Sequence, residues 1–130
     1  MGEFNTAKLL TDGGNEIIPE VKLDSGRSVD FRVGDTLVEV TRPKPPTRRK
    51  AETAVGAVQA TGNAKTRDQL ASHPGAVLVV DCSSFRDDEW HRILGERPGV
   101  GYEPLVVFRY RPNGRLEGYT RGSIPFKLPL

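Results

Sequence analysis

The chain has 130 residues, of which 36% are hydrophobic, so we expect one globular domain with a modest core rather than a disordered segment. Its 19 Lys and Arg residues against 17 Asp and Glu give a formal net charge of +2, which is too small to identify a nucleic-acid partner by itself. The single cysteine, Cys82, excludes an intrachain disulfide and a cysteine-based zinc cluster. No apolar run approaches the roughly 18 residues of a membrane span, and the N-terminus has no apolar signal core, so we expect a cytoplasmic protein without a membrane partner.

Alternating polar and apolar residues in the first third of the chain predict a small antiparallel meander. Strands are predicted at residues 20–23, 28–33 and 36–41, and the last two are joined by a turn at Gly34-Asp35. Residues 1–19 have a weaker pattern, which predicts a weakly ordered N-terminal segment or a short helix. Residues 20–130 are then predicted to form a single α/β domain.

The middle of the chain predicts helices around a buried strand. Pro43, Pro45 and Pro46 stop the third strand, and a helical period begins at Arg48. A second short helix is predicted over residues 65–72. The uninterrupted apolar run at 76–82 is typical of a strand that is buried on both faces.

The last third predicts one more helix and a hairpin. An acidic start favours a helix over residues 87–96, and two strands flank the turn Pro112-Asn113-Gly114. The whole order predicts an α/β fold with a mixed sheet of four or five strands flanked by helices.

Two carboxylates on the predicted meander form the first candidate site. Asp30 and Glu39 lie on adjoining antiparallel strands and are nearly level with each other. Because side chains alternate along a strand, Phe31 and Val38 would face the core and leave the two acids together on the other face.

Such a pair of carboxylates allows two interpretations. Carboxylates in close proximity repel unless a cation lies between them, and a divalent metal such as Mg²⁺ or Mn²⁺ accepts oxygen ligands of this kind. The alternative is a solvated face of the sheet on which Arg32 or Arg42 pairs with the acids.

A meander with an Asp on one strand and a Glu on the next, followed by a helix and a buried strand, resembles the PD-(D/E)XK nuclease superfamily. Its Mrr-like restriction endonuclease branch has an Asp before a short hairpin, then a strand with Glu or Gln, one spacer and Lys. Here these positions are Asp30 and then Glu39-Val40-Thr41. The segment "VLVVDCSSF" before a helix is similar to a strand of that branch, and Gln69 resembles a Gln that some members carry at the edge of the active site. The resemblance covers roughly residues 20–111.

The resemblance implies a restriction-endonuclease-like core and metal-dependent endonuclease activity on nucleic-acid phosphodiesters. Asp30 and Glu39 would hold Mg²⁺ or Mn²⁺. The family's Lys, which helps to position and activate the attacking water, is replaced by Thr41, and a threonine supplies no positive charge. Lys44 and Lys65 are the candidate substitutes. Without a substitute, the same scaffold would be a catalytically inactive module that binds nucleic acid or a protein partner.

Basic residues occur in two series. The first contains five cations and no acid between residues 42 and 50, and the second follows the C-terminal hairpin, where tyrosines are interleaved. Arginines beside aromatic rings suit phosphate contacts and base stacking, whereas the alternative is an ordinary charged surface or a charge-protected edge strand. We expect DNA as the partner, with contacts from Arg42, Arg48, Arg49, Lys50, Arg109 and Arg111.

Two further residues are weaker candidates. Cys82 follows Asp81 at the end of the buried strand and would serve a hydrolase if His73 or His91 lay beside it, although a buried cysteine is usually core filler. Asp81, at the end of that strand, would either join Asp30 and Glu39 or cap the following helix. Assembly as a homodimer or as part of a longer protein is compatible with this sequence.

Overall fold

The computed structural model describes residues 2–21, 29–44 and 51–130, and it describes the side chains of residues 5–19, 31–44, 53–64 and 66–130. The chain begins with helix α1 (Gly2–Asp12), followed by strands β1 (Ile18–Val21), β2 (Val29–Val33) and β3 (Thr36–Thr41). It continues with helix α2 (Ala51–Gln59), a 3-10 turn (Ala60–Gly62) and helix α3 (Ala64–Ala71). The last elements are β4 (Val77–Asp81), α4 (Asp87–Glu96), β5 (Leu105–Tyr110) and β6 (Leu116–Arg121).

The strands in the described part of the chain form one six-stranded sheet in the order β1-β2-β3-β4-β5-β6. Neighbouring strands run antiparallel from β1 to β3 and between β5 and β6, whereas β3, β4 and β5 run parallel. Parallel neighbours need long crossovers, which α2 and α3 provide before β4 and α4 provides before β5. The predicted α/β class with a mixed, helix-flanked sheet is confirmed. The sheet has six strands rather than four or five, because all six strands predicted from the sequence pair in one sheet, with β1 and β6 at its edges.

Each face of the sheet carries its own hydrophobic core. On one face, Leu9 and Leu10 of α1 are fully buried against alternate residues of the central strands, such as Val79 and Phe108. On the other face, the crossover helices cover sheet residues such as Leu37 and Leu78, and Trp90 of α4 packs in the same core. All five residues of β4 are buried, as the apolar run predicts.

Local sequence signals set the ends of the helices. The Asn63 side chain accepts a hydrogen bond from the Thr66 N–H at 3.0 Å and so caps α3. At the start of α4, the Glu89 side chain accepts one from the Arg86 N–H at 2.8 Å. Arg97 ends α4 in the left-handed conformation with φ of 49°.

No helix in the described ranges is both long enough and apolar enough to cross a membrane.

Candidate functional site

The register of the meander aligns acidic residues across three strands. Glu20 of β1 pairs with Asp30 of β2. Between β2 and β3, Phe31 pairs with Val38 and Arg32 with Leu37, and the same register continued by one residue brings Asp30 level with Glu39. We call these three positions, Glu20, Asp30 and Glu39, the acid rung. The side chains of Glu20 and Asp30 lie outside the described residues.

Glu20 is not among the candidate residues named from the sequence, although the sequence contains a signal for it. The segment Asp24-Ser25-Gly26 lies between the predicted strands at 20–23 and 28–33 and has the composition of a turn, and a hairpin centred on Ser25 pairs residue 20 with residue 30. The structure has this pairing. Glu20 therefore belongs with the two acids that the sequence singled out.

Glu39 lies inside the protein. Its side chain is 7% exposed, and it lies on the face of β3 that carries Leu37, which packs in the core beneath the crossover helices. The interpretation of a solvated charged face is therefore wrong for Glu39. A carboxylate in such a place needs hydrogen bonds or a nearby positive charge to offset the cost of burial.

The residues after Glu39 leave the sheet at its surface. Thr41, the last residue of β3, is half-buried and lies level with Val80 of β4. Because side chains alternate along a strand, Thr41 lies on the same face of β3 as Glu39. Lys44 is exposed three residues further on, whereas the Lys65 side chain lies outside the described residues.

Two other predicted positions lie at the surface. Arg42 is exposed, and its Nε donates a hydrogen bond to Ser84 Oγ at 2.9 Å, which ties the end of β3 to the loop after β4. Gln69 is exposed on α3, where its neighbour Leu70 enters the core instead. Arg48, Arg49 and Lys50 lie outside the described residues.

Asp81 does not join the acid rung. It is fully buried at the end of β4, and its carboxylate accepts hydrogen bonds from Asn5 Nδ2 at 3.2 Å and from the Ser83 N–H at 2.9 Å. Since Asn5 belongs to α1, Asp81 faces the α1 side of the sheet, whereas Glu39 faces the crossover helices. Asp81 therefore fastens α1 to the end of β4.

Arg109 and Arg111, both predicted to contact DNA, make ion pairs within the domain. Arg109 is 7% exposed and donates to Asp87 Oδ1 at 2.7 Å and to the Phe85 carbonyl at 3.1 Å. These contacts fasten the start of α4 to β5, and they hold the pKa of the Asp87 carboxyl below its ordinary value. Arg109 is buried because β5 lies inside the sheet and alternate residues of β5 face the helices.

Arg111 is half-buried beside β6. Its Nε donates to Glu117 Oε1 at 2.5 Å, and the indole N–H of Trp90 donates to the same oxygen at 3.2 Å. The hydrogen bond from Arg111 is the main cause that lowers the pKa of Glu117. This network links α4 to the C-terminal hairpin, so part of the predicted basic series serves the fold.

Cys82 is not accessible to a substrate. It is fully buried in the core beneath the crossover helices, and burial raises the pKa of its thiol. His73 and His91 are both exposed. A buried, neutral thiol is not a nucleophile, so the structure does not support a hydrolase built on Cys82.

Among the residues whose side chains the structure describes, no group of three or more His, Cys, Asp or Glu could hold a metal ion. The acid rung includes two residues beyond that set.

The chain belongs to a family of unknown function (DUF5784), whose sequence profile matches residues 1–128. Searches for similar curated proteins and similar solved structures find no match.

Proposed function

We propose that this protein is a nuclease-like domain that binds Mg²⁺ or Mn²⁺ at the acid rung and hydrolyses nucleic-acid phosphodiesters, with DNA as the expected substrate. The observation that carries the proposal is the register of β1, β2 and β3, which pairs Glu20 with Asp30 and, continued by one residue, brings Asp30 level with Glu39. The reaction class comes from the resemblance of Asp30 and Glu39-Val40-Thr41 to the PD-(D/E)XK pattern.

The electrostatics of the rung support a cation site. Like charges directly opposite each other on neighbouring strands destabilise a sheet, because their Cβ atoms are only about 5 Å apart. Burial of Glu39, at 7% exposure, adds a desolvation cost to this repulsion. A divalent cation offsets both costs, and carboxylate oxygens are the ligands that Mg²⁺ and Mn²⁺ take. The donor set of the acid rung therefore fits such a cation.

The order of strands and helices along the chain also supports the proposal of a nuclease-like domain. The resemblance implies a meander with the acids, a helical crossover and then a buried strand. The chain has this order in β1 to β3, in α2 and α3, and in β4. We propose that these elements, with β5 beside β4, form a restriction-endonuclease-like core, to which β6 is added at the edge.

The acid rung and the segment that follows β3 would supply the residues of the proposed reaction. Glu20, Asp30 and Glu39 would hold the cation, which would supply positive charge against the negative charge that develops on a phosphodiester during hydrolysis. Thr41 would orient water through its hydroxyl group. Lys44, exposed just after β3, would supply the positive charge that Thr41 lacks. Arg42 and the basic residues 48–50 would contact phosphates, whereas we leave the buried Arg109 out of this interface.

The second candidate is a catalytically inactive module on the same scaffold that binds nucleic acid or a protein partner. Two observations favour it: Thr41 replaces the family's Lys, and Glu39 is almost inaccessible. Binding of DNA without cleavage distinguishes this candidate from the nuclease.

A cleavage assay tests the proposal. Plasmid DNA and a single-stranded RNA are incubated with the protein and Mg²⁺ or Mn²⁺, with an EDTA control, for wild type and for Asp30→Asn and Glu39→Gln. Asp35→Asn is the matched control, because Asp35 is an exposed acid at the opposite end of the same hairpin. We expect metal-dependent cleavage of DNA that both rung variants lose and the control retains. Cleavage that survives both rung variants contradicts the proposal.

A further inference from the structure

An open pocket of about 420 Å³ lies beside the loop that connects α4 to β5. Its walls are residues 99–103, which we call the pocket loop, and Arg121 at the end of β6. The pocket is far from the acid rung within the sheet. Arg121 of β6 pairs with Leu105 of β5, Leu105 pairs with Leu78 of β4, and Leu78 pairs with Glu39 of β3. Three strand spacings of about 4.8 Å each therefore separate Arg121 from Glu39.

Side chains of β6 hold the two residues that precede the pocket loop through their carbonyl groups. Tyr119 Oη donates a hydrogen bond to the Pro98 carbonyl at 2.7 Å. Arg121 Nη1 donates to the Arg97 carbonyl at 3.2 Å. The entry to the pocket loop is therefore fixed before any ligand binds.

The body of the domain fixes the rest of the loop. The Val100 carbonyl lies so close to Gly62 that a Cβ at Gly62 would be 1.8 Å from its oxygen. Tyr102 Oη donates to the Ala76 carbonyl at 2.5 Å, at the entry to β4. A loop held at this many points is preorganised for binding.

The donor groups of the loop, in contrast, are uncommitted. Within the described part of the chain, the backbone N–H groups of residues 99–103 donate no hydrogen bond. Successive backbone N–H groups in a tight turn form concavities that bind anions, and Gly101 has the positive φ of 81° that such turns use. The five residues that carry these N–H groups line one pocket.

The charges around the pocket favour an anion. The Arg121 guanidinium lies against Gly99, where a Cβ would be 3.1 Å from its Nε and 3.5 Å from its Nη2. Arg67 Nη1 is 4.0 Å from the Cβ position of Gly101, and Arg67 makes no ion pair with any described residue. Glu103 is the opposing charge, with Oε2 3.8 Å from Arg121 Nε. Two guanidinium groups against one carboxylate leave a positive excess.

We infer that this pocket binds a phosphate group, held by the backbone N–H groups of the pocket loop and by the guanidinium groups of Arg121 and Arg67. Phosphate fits better than a carboxylate because it has more acceptor oxygens and more charge for these donors, and because arginine binds it in a bidentate manner. The phosphate belongs either to a small phosphorylated molecule or to a nucleic-acid backbone. The inference does not depend on the function proposed for the acid rung.

The test is a titration of the ¹⁵N-labelled protein with inorganic phosphate at constant ionic strength, followed by amide chemical shifts. We expect saturable shifts of the five pocket-loop amides. Arg121→Gln should weaken binding about tenfold or more, since hydrogen bonds to charged groups are among the stronger ones. Arg67→Gln, at an exposed position on α3, should also weaken it, whereas Glu103→Gln should strengthen it. Arg115→Gln, in the β5–β6 turn, is the matched control and should leave binding unchanged.

The outcomes separate the alternatives. Shifts that never saturate, or that are equal in Arg121→Gln and Arg115→Gln, overturn the inference, and acetate that binds as tightly as phosphate overturns the choice of phosphate. Parallel titrations with a nucleoside monophosphate and with a DNA oligonucleotide identify the source of the phosphate as a small molecule or a nucleic acid. The double variant Asp30→Asn/Glu39→Gln should bind phosphate as wild type does, because the two sites are separate.

Discussion

Gly62→Ala is expected to destabilise the protein, although alanine is normally the better residue in a helical segment. The new Cβ would lie 1.8 Å from the Val100 oxygen and 2.8 Å from the Val100 carbonyl carbon. Both are backbone atoms, so a rotamer change cannot relieve the clash and the pocket loop must move. Overpacking of this kind costs about 1–3 kcal/mol.

Gly56→Ala is the matched control. Gly56 is exposed in the middle of α2, and nothing lies within 4 Å of its Cβ position. Replacing a glycine inside a helix by alanine stabilises it by about 0.5–1 kcal/mol, so the same substitution should change the free energy of unfolding in opposite directions at the two sites.

The assay is urea unfolding followed by the fluorescence of Trp90, the single tryptophan, which is fully buried in the folded protein. Gly62→Ala should also lose phosphate binding at the pocket, while Gly56→Ala should keep it. A Gly62→Ala variant as stable as wild type would refute the close packing of the pocket loop against the 3-10 turn.

Three further predictions concern separate parts of the molecule. If the missing lysine limits catalysis, Thr41→Lys should raise the rate of metal-dependent plasmid cleavage about tenfold or more, and an unchanged rate contradicts that role. The hydrogen bond from Arg111 lowers the pKa of Glu117 in the folded protein. The stability that this pair contributes is therefore present above the ordinary glutamate pKa and is lost as the pH falls through the lowered pKa. Melting temperatures measured from about pH 6 to pH 2 should therefore fall less steeply in Glu117→Gln than in wild type, and equal slopes contradict the pairing with Arg111. Cys82 should not react with a thiol reagent until the protein is unfolded in urea, because burial raises the pKa of its thiol, and rapid reaction of the native protein would contradict that burial.

Local patterns predicted much of the fold. Strict alternation placed β3 at residues 36–41, and an acidic start followed by an apolar stripe placed α4 at 87–96, both with the observed bounds. The first helix has a weaker sequence signal. The pattern of residues 1–19 predicts a weakly ordered segment or a short helix, whereas the structure has a helix of 11 residues, α1. Its two leucines, Leu9 and Leu10, gain their burial from the sheet and not from their own segment.

The surroundings of the candidate site depend on contacts that no local pattern contains. Glu39 and Arg109 belong to strands with one apolar and one mixed face, and only the placement of the crossover helices decides that the mixed face is buried. Asp81 is bonded to Asn5, which is 76 positions away in the sequence. The alignment of the acid rung, in contrast, can be predicted from local sequence. The turn residues at 24–26 set the pairing of Glu20 with Asp30, and the turn at Gly34-Asp35 brings Asp30 level with Glu39.

A Mn²⁺ titration followed by electron paramagnetic resonance tests divalent-cation binding at the acid rung without requiring catalysis. We expect one bound Mn²⁺ per chain in wild type and in the Asp35→Asn control. We expect an affinity at least about tenfold lower in Glu20→Gln, Asp30→Asn and Glu39→Gln, each checked for folding by Trp90 fluorescence. Equal Mn²⁺ affinity in wild type and in these three rung variants would contradict a cation site at the acid rung.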